Sequence, residues 1–137
     1  MTKLNNKKIE NLLINYQNTP MVEPTSSIYN SISQMSNTGI GIICVVKNKK
    51  LKGIITDGDL RRIIISLNKP LPAFLSENVE KYMNKNPLTI SKNFTLDRVI
   101  KLMERKKIWD LPVLDAQLNL IGLCHLHKVL KVLLNND

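Results

Sequence analysis

At 137 residues, with 43% hydrophobic and 23% charged side chains, the chain suffices for one compact domain or two small units sharing a core. No apolar run approaches the roughly 20 residues that span a bilayer, and the polar start MTKLNNKK lacks the apolar centre of a secretion signal, so a cytoplasmic protein with no membrane partner is expected. The net charge of +9 favours anions of any kind, but with 4% aromatics and lysines scattered through turns, nucleic acid is a disfavoured partner.

Ile9, Leu12, Leu13 and Tyr16 predict a short N-terminal helix in a leader of residues 1–17. Ile28, Ile32 and Met35 then mark one helix face, with Ser26 or Ser27 as N-cap. Ile40 to Val46 and Leu51 to Ile55 read as buried strands joined by the polar turn Lys47 to Lys50, and Leu60 to Leu67 as a second helix. Pro70 and Pro72 open a linker, residues 71–84. The same order then returns: a helix face at Leu96, Val99, Ile100 and Met103 after Thr95, strands at Ile108 to Leu114 and Leu120 to Cys124, and a helix at Val129 to Leu134.

This is an internal repeat. Pro20 answers Pro87, Met35 answers Met103, Val45 answers Val113 and Gly53 answers Gly122, so the offset drifts only from 67 residues (20 to 87) to 69 (53 to 122). The copies occupy residues 18–70 and 85–137, each reading strand-helix-strand-strand-helix, an α+β architecture. A copy of about fifty residues is marginal alone, so the two are expected to pack together.

The chemistry-bearing residues are few. Cys44 and Cys124 lie in apolar stretches and read as buried, reduced thiols. Cys124, His125 and His127 match no zinc spacing. Neither a dinucleotide fingerprint nor a P-loop occurs. Trp109, before a strand, reads as core or dimer-surface packing rather than a base-stacking platform. In GIITDGDLRR, Asp57 and Asp59 have no catalytic partner signalled elsewhere; taken alone, they read as helix caps. No catalytic residue and no metal ligand is expected.

The duplicated unit resembles a tandem pair of CBS domains, a Bateman module, from about Tyr16 to Leu134. NTGIGIICVV with LKGIITDGDLRR, and KKIWDLPVLD with IGLCHLHKVL, are similar to the CBS pair at the C-terminus of arabinose 5-phosphate isomerases. Some sugar nucleotidylyltransferases carry a comparable TDGD stretch. The resemblance implies two repeats packed with pseudo-two-fold symmetry, dimerisation through apolar helices (here Ile63 to Ile65 and Val129 to Leu134), and a nucleotide, adenosine-containing, bound in a cleft between the repeats. No cofactor is required; AMP, ADP or ATP is the implied ligand, and an attached or partner enzyme of sugar-phosphate or polysaccharide-precursor metabolism is the implied target. The chain itself is expected to be stand-alone or an excised fragment.

The family's ribose signature, Ser or Thr, two residues, then Asp, falls on Thr56 and Asp59. The chemistry fits: a carboxylate accepts hydrogen bonds from vicinal ribose hydroxyls, and a helix N-terminus offers free N–H groups to a phosphate. Asp57, counted with the nucleotide-binding residues, reads chiefly as a cap or turn residue. Arg61 and Arg62 add positive charge one turn in, only one of them facing the cleft, and backbone near Val22 and Ile42 would frame the base. In the second copy His125 stands at the Thr56 position and Lys128 at the Asp59 position. A lysine has no acceptor for ribose hydroxyls, so that cleft is degenerate: it holds a phosphate or stays empty, and one competent site is expected. The alternatives are a ligand-free structural or dimerisation module and a basic nucleic-acid-binding module.

Overall fold

Residues 7–135 are described by a computed structural model. In chain order its regular elements are β1 (Ile14–Asn15), β2 (Met21–Val22), α1 (Ile28–Thr38), β3 (Ile42–Lys47), β4 (Lys50–Thr56), α2 (Asp57–Ile65), α3 (Leu71–Leu75), β5 (Ile90–Ser91), α4 (Leu96–Lys106), β6 (Asp110–Leu114), β7 (Leu120–His125) and α5 (Leu126–Leu134). The class is mixed α+β, as the sequence indicates. Two compact units result: one spans Pro20–Pro87, and the other joins the residues up to Thr19 to those from Leu88 onward.

In the Pro20–Pro87 unit the sheet order is β2-β3-β4, with β2 parallel to β3 and β3 antiparallel to β4. The hairpin turn is tight because Asn48 and Lys49 both take positive φ, 52° and 67°, the pattern of a two-residue turn whose twist matches the strands. α1 starts where Ser27 accepts a hydrogen bond from the Asn30 N–H at 3.0 Å, which resolves its cap to Ser27. It stops at Gly39, whose φ of 69° suits a residue without a side chain. Val22, Ile28, Met35, Ile43, Val45, Ile55 and Leu60 form the core with Phe74 and Val79. Residues 71–84, read from the sequence as a linker, therefore place two fully buried side chains in this core.

The second unit repeats the scheme. β5 runs parallel to β6, and β6 pairs antiparallel with β7. α1 and α4 both have 11 residues, α2 and α5 both have 9, and each first helix ends on a left-handed residue, Gly39 or Lys107. Both hairpins shift register at the same place, between Val45 and Val46 and between Val113 and Leu114. A duplicated sequence has kept its bulge.

One sequence expectation is overturned. Ile9, Leu12, Leu13 and Tyr16 do not form one helix: Ile9–Leu12 is a single 3-10 turn, Ile14–Asn15 is the edge strand β1, and Tyr16–Asn18 is a second 3-10 turn. The cause is backbone pairing. Leu96 N–H donates to the Lys7 carbonyl at 2.7 Å, Ile9 N–H to the Phe94 carbonyl at 3.2 Å, and β1 pairs antiparallel with β7. These partners override a 3.6-residue apolar spacing too short to nucleate a helix. Residues 1–6 of the expected leader lie outside the described residues.

That pairing explains the repeated glycine. Gly122 is buried where β7 receives β1, and a methyl there would run into the Ile14 carbonyl oxygen. Gly53 is buried where β4 meets the segment through Asn84, whose carbonyl oxygen would stand 2.7 Å from an added Cβ; Ile54 and Asn84 exchange two backbone hydrogen bonds beside it. Each glycine is the gap through which a third chain segment reaches a hairpin.

Glu77 fastens residues 71–84 of the first unit. Its carboxylate pairs with Lys69 Nζ at 2.6 Å, accepts from the Tyr82 hydroxyl at 2.8 Å and pairs with Lys81 Nζ. The Lys69 hydrogen bond foremost, then those of Lys81 and Tyr82, holds the Glu77 carboxyl at about 2 against an ordinary 4.5. A depressed carboxylate pKa stabilises the fold above the unfolded value, and that contribution is lost as pH falls towards the folded one.

Two outcomes are expected. Gly122→Ala and Gly53→Ala should each destabilise the fold by about 1–3 kcal/mol in urea titrations, against a few tenths for Gly39→Ala's neighbour-free site beyond its φ strain. Wild-type stability should fall between pH 4.5 and 2, and Glu77→Gln should flatten that fall; an unchanged acid profile in the variant would remove Glu77 from this role.

Candidate functional site

The corner between β4 and α2 is set by a reciprocal capping box. Asp59 N–H donates to Thr56 Oγ1 at 3.2 Å, and Thr56 N–H donates to Asp59 Oδ2 at 3.0 Å. The cap is thus Thr56 with Asp59; of the two acids the sequence offered as caps only Asp59 takes part, and the helix begins at Asp57, three residues earlier than Leu60, because the box satisfies its first N–H groups. Asp57 instead donates its N–H to the Gly41 carbonyl at 3.0 Å, and its carboxylate lies against the Gly41 Cα, where a methyl would collide with it.

Asp59 makes a third hydrogen bond. Arg62 Nη2 donates to Asp59 Oδ1 at 2.9 Å, one helical turn on, with the Asp59 side chain 31% exposed. A carboxylate has about four acceptor positions, so two remain for a ligand. The Thr56 hydroxyl accepts in the box and keeps its own proton to donate. Arg61 is exposed on the same turn. Val22 is almost fully buried and Ile42 fully buried, so any contact from these two positions comes from backbone. Gly41, named from the sequence only for backbone that frames a base, also makes room for the Asp57 carboxylate; Gly58, inside the TDGD turn, was not singled out, and that placement was the available signal.

The matching corner of the second unit is chemically different. His125 stands at the N-cap of α5 and makes no cap hydrogen bond. Its Nδ1 instead meets Asp110 Oδ1 at 2.6 Å, across the hairpin register Asp110–His125 that corresponds to Ile42–Thr56 in the first unit. Lys128 is exposed. Asp110 was not singled out from the sequence; it lies 15 residues from His125, and only the hairpin register brings them together.

Cys124 is fully buried and its thiol is pushed up to about 12, first by burial and then by the nearby Asp110 charge, which makes it a poor nucleophile at neutral pH. Among the described residues no group of three or more His, Cys, Asp or Glu converges as a metal site would. Nor is any helix among them long and apolar enough to cross a membrane. Trp109 is exposed and borders a shallow apolar groove of about 260 Å³ with Ile100, Met103, Val129, Leu130 and Leu133 in the second unit.

Comparison with known proteins gives the family. The CBS domain family model matches residues 14–66 and 79–135. The arabinose 5-phosphate isomerase KdsD of Francisella tularensis is 34% identical over 126 residues, 91% of this chain but 37% of that enzyme. The chain thus spans well under half the length of the curated relatives it matches. A crystal structure of CBSX2 in complex with AMP superposes with a TM-score of 0.81 at 23% identity, covering 93% of this chain and 96% of that one. The CBS domain pair of protein MJ0100, in complex with 5'-methylthioadenosine and S-adenosyl-L-methionine, does so at 0.80 and 18%, covering 96% and 98%. At these identities the two structures speak for the fold. With two matched repeats over most of its length, the chain belongs to the CBS domain family.

Proposed function

We propose that this CBS pair is a non-catalytic regulatory module that binds an adenosine-containing nucleotide, of the AMP, ADP or ATP class, at the Thr56–Asp59 corner. One observation carries the reading: a partly exposed carboxylate held rigidly at a strand-to-helix corner with acceptor positions to spare. Asp59 takes the ribose hydroxyls and Thr56 donates to the ligand. Asp57 holds the corner against Gly41. Backbone near Val22 and Ile42 frames the base, and Arg61 or Arg62 supports a phosphate. His125 and Lys128 leave the second corner unable to read a ribose. The AMP in CBSX2 and the adenosine ligands of MJ0100 support the ligand class.

Occupancy acts by linkage. A ligand that binds one arrangement of the module better than another shifts its population by that difference in affinity, and whatever enzyme senses the module responds. Similarity to an arabinose 5-phosphate isomerase supports a cytoplasmic sugar-phosphate or polysaccharide-precursor enzyme, attached or separate, as the target. We propose further that the module is a homodimer. Ile65 on α2 (79% exposed) and Trp109 and Leu134 beside and on α5 (57% and 76%) are large apolar surfaces left to solvent.

Two measurements test this. Calorimetry with AMP, ADP, ATP, S-adenosylmethionine and cytidine sugar nucleotides should find an adenine nucleotide that binds. Asp59→Asn, which keeps an acceptor for the Thr56 N–H, should weaken it about tenfold or more, whereas Asp59→Ala should also cost about 1 kcal/mol of stability through the lost box. Equal binding by Asp59→Asn would refute the assignment. Light scattering should give a dimer for the wild type, weakened by Ile65→Lys or Leu134→Lys; a monomeric wild type would remove the second proposal.

A further inference from the structure

We infer that Arg62 is a latch on Asp59 that makes the corner select phosphorylated ligands over the bare nucleoside; this rests on Asp59 reading a ribose. Three observations converge on Arg62. Its Nη2 donates to Asp59 Oδ1 at 2.9 Å, while Oδ2 is committed to the Thr56 N–H at 3.0 Å, so both carboxylate oxygens already have a protein partner. The guanidinium folds back over the first turn of α2, so that a Cβ at Gly58 would stand 3.2 and 3.3 Å from Nη1 and Nη2. Glycine at 58 leaves space for that fold-back. Finally, the first turn of α2 carries two carboxylates, Asp57 and Asp59, which repel an approaching phosphate. Arg62 is the cation in contact with one of them.

The two side chains are 64% and 31% exposed, so water and salt screen their attraction and the latch opens at little cost. What replaces it decides the outcome. A ligand that brings a phosphate offers the guanidinium a doubly charged acceptor, and Arg62 exchanges Asp59 for that phosphate, freeing Oδ1 for the ribose as it does so. A nucleoside brings no anion. With Arg62 in place it finds one position fewer on Oδ1 and must either take the remaining positions beside the guanidinium or displace it and leave it stranded. The same residue therefore weakens one ligand class and strengthens the other. A residue that merely added positive charge would not weaken nucleoside binding.

Calorimetric titration of the full chain with adenosine and with AMP tests this, using wild type, Arg62→Gln, Gly58→Ala and Asp59→Asn, each checked by thermal melt. Arg62→Gln should bind adenosine about two- to fivefold tighter and AMP about tenfold or more weaker. Gly58→Ala, which keeps the charge but makes the guanidinium give by a few tenths of an ångström and so loosens its bond to Asp59, should tighten adenosine slightly and leave AMP within about threefold. Adenosine and AMP affinities that move together in Arg62→Gln, with AMP still lost in Asp59→Asn, would overturn the latch and leave the ribose reader standing. Wild type that binds neither ligand, or Asp59→Asn that binds as wild type does, would overturn both.

Discussion

Thr56 and Asp59 exchange two hydrogen bonds across the turn from β4 into α2, at 3.2 and 3.0 Å, and much of what the first unit can do depends on that exchange. It ends the hairpin and starts the helix within one residue. It holds the Asp59 carboxylate through Oδ2, so less side-chain entropy is left to lose when a ligand arrives. It also draws Arg62 into the same small space, because a residue three positions on lies directly over the first turn. Capping and ligand reading are often set against each other as explanations for an acidic helix start. In the function proposed above they share one carboxylate, whose acceptor capacity exceeds what the cap consumes.

The second unit shows what happens without that exchange. Its backbone follows the same plan: equal helix lengths, the same bulge, and a left-handed end to each first helix. Yet His125 turns to Asp110, and Lys128 takes the place of the acid. The two copies share the parts that packing requires and differ at the parts that the proposed ligand would need. The conserved half of that contrast has a physical origin: a buried glycine facing another chain segment tolerates no side chain, while an exposed residue on a helix's first turn tolerates many.

Much of this was legible in the sequence. Repeated apolar blocks at a nearly constant offset revealed the two α+β copies, and resemblance to the family's ribose signature pointed to Thr56 and Asp59. Gly53 and Gly122 were visible as matching positions, and glycine inside a strand signals close backbone approach, but what approaches was hidden. Ile14 pairs with Leu123 and Asn84 with Ile54, contacts that no local period encodes. For the same reason the N-terminal segment read as a helix, and residues 71–84 as a linker although Phe74 and Val79 are buried. Two-residue strands are too short to show alternation. Asp110 and His125 meet only through hairpin register. The Arg62 contact, by contrast, is an i, i+3 pair and was available to sequence reasoning; its consequence for Asp59 needed coordinates.

The central claim is that the two corners, built on one backbone plan, differ in function. It is tested most directly by titrating the isotope-labelled chain with AMP and following each backbone amide by NMR. The account predicts shifts concentrated at Thr56 to Arg62 and near Gly41, with the amides of His125 to Lys128 changing far less. Shifts centred on His125 to Lys128, or none at either corner at millimolar AMP, would contradict it.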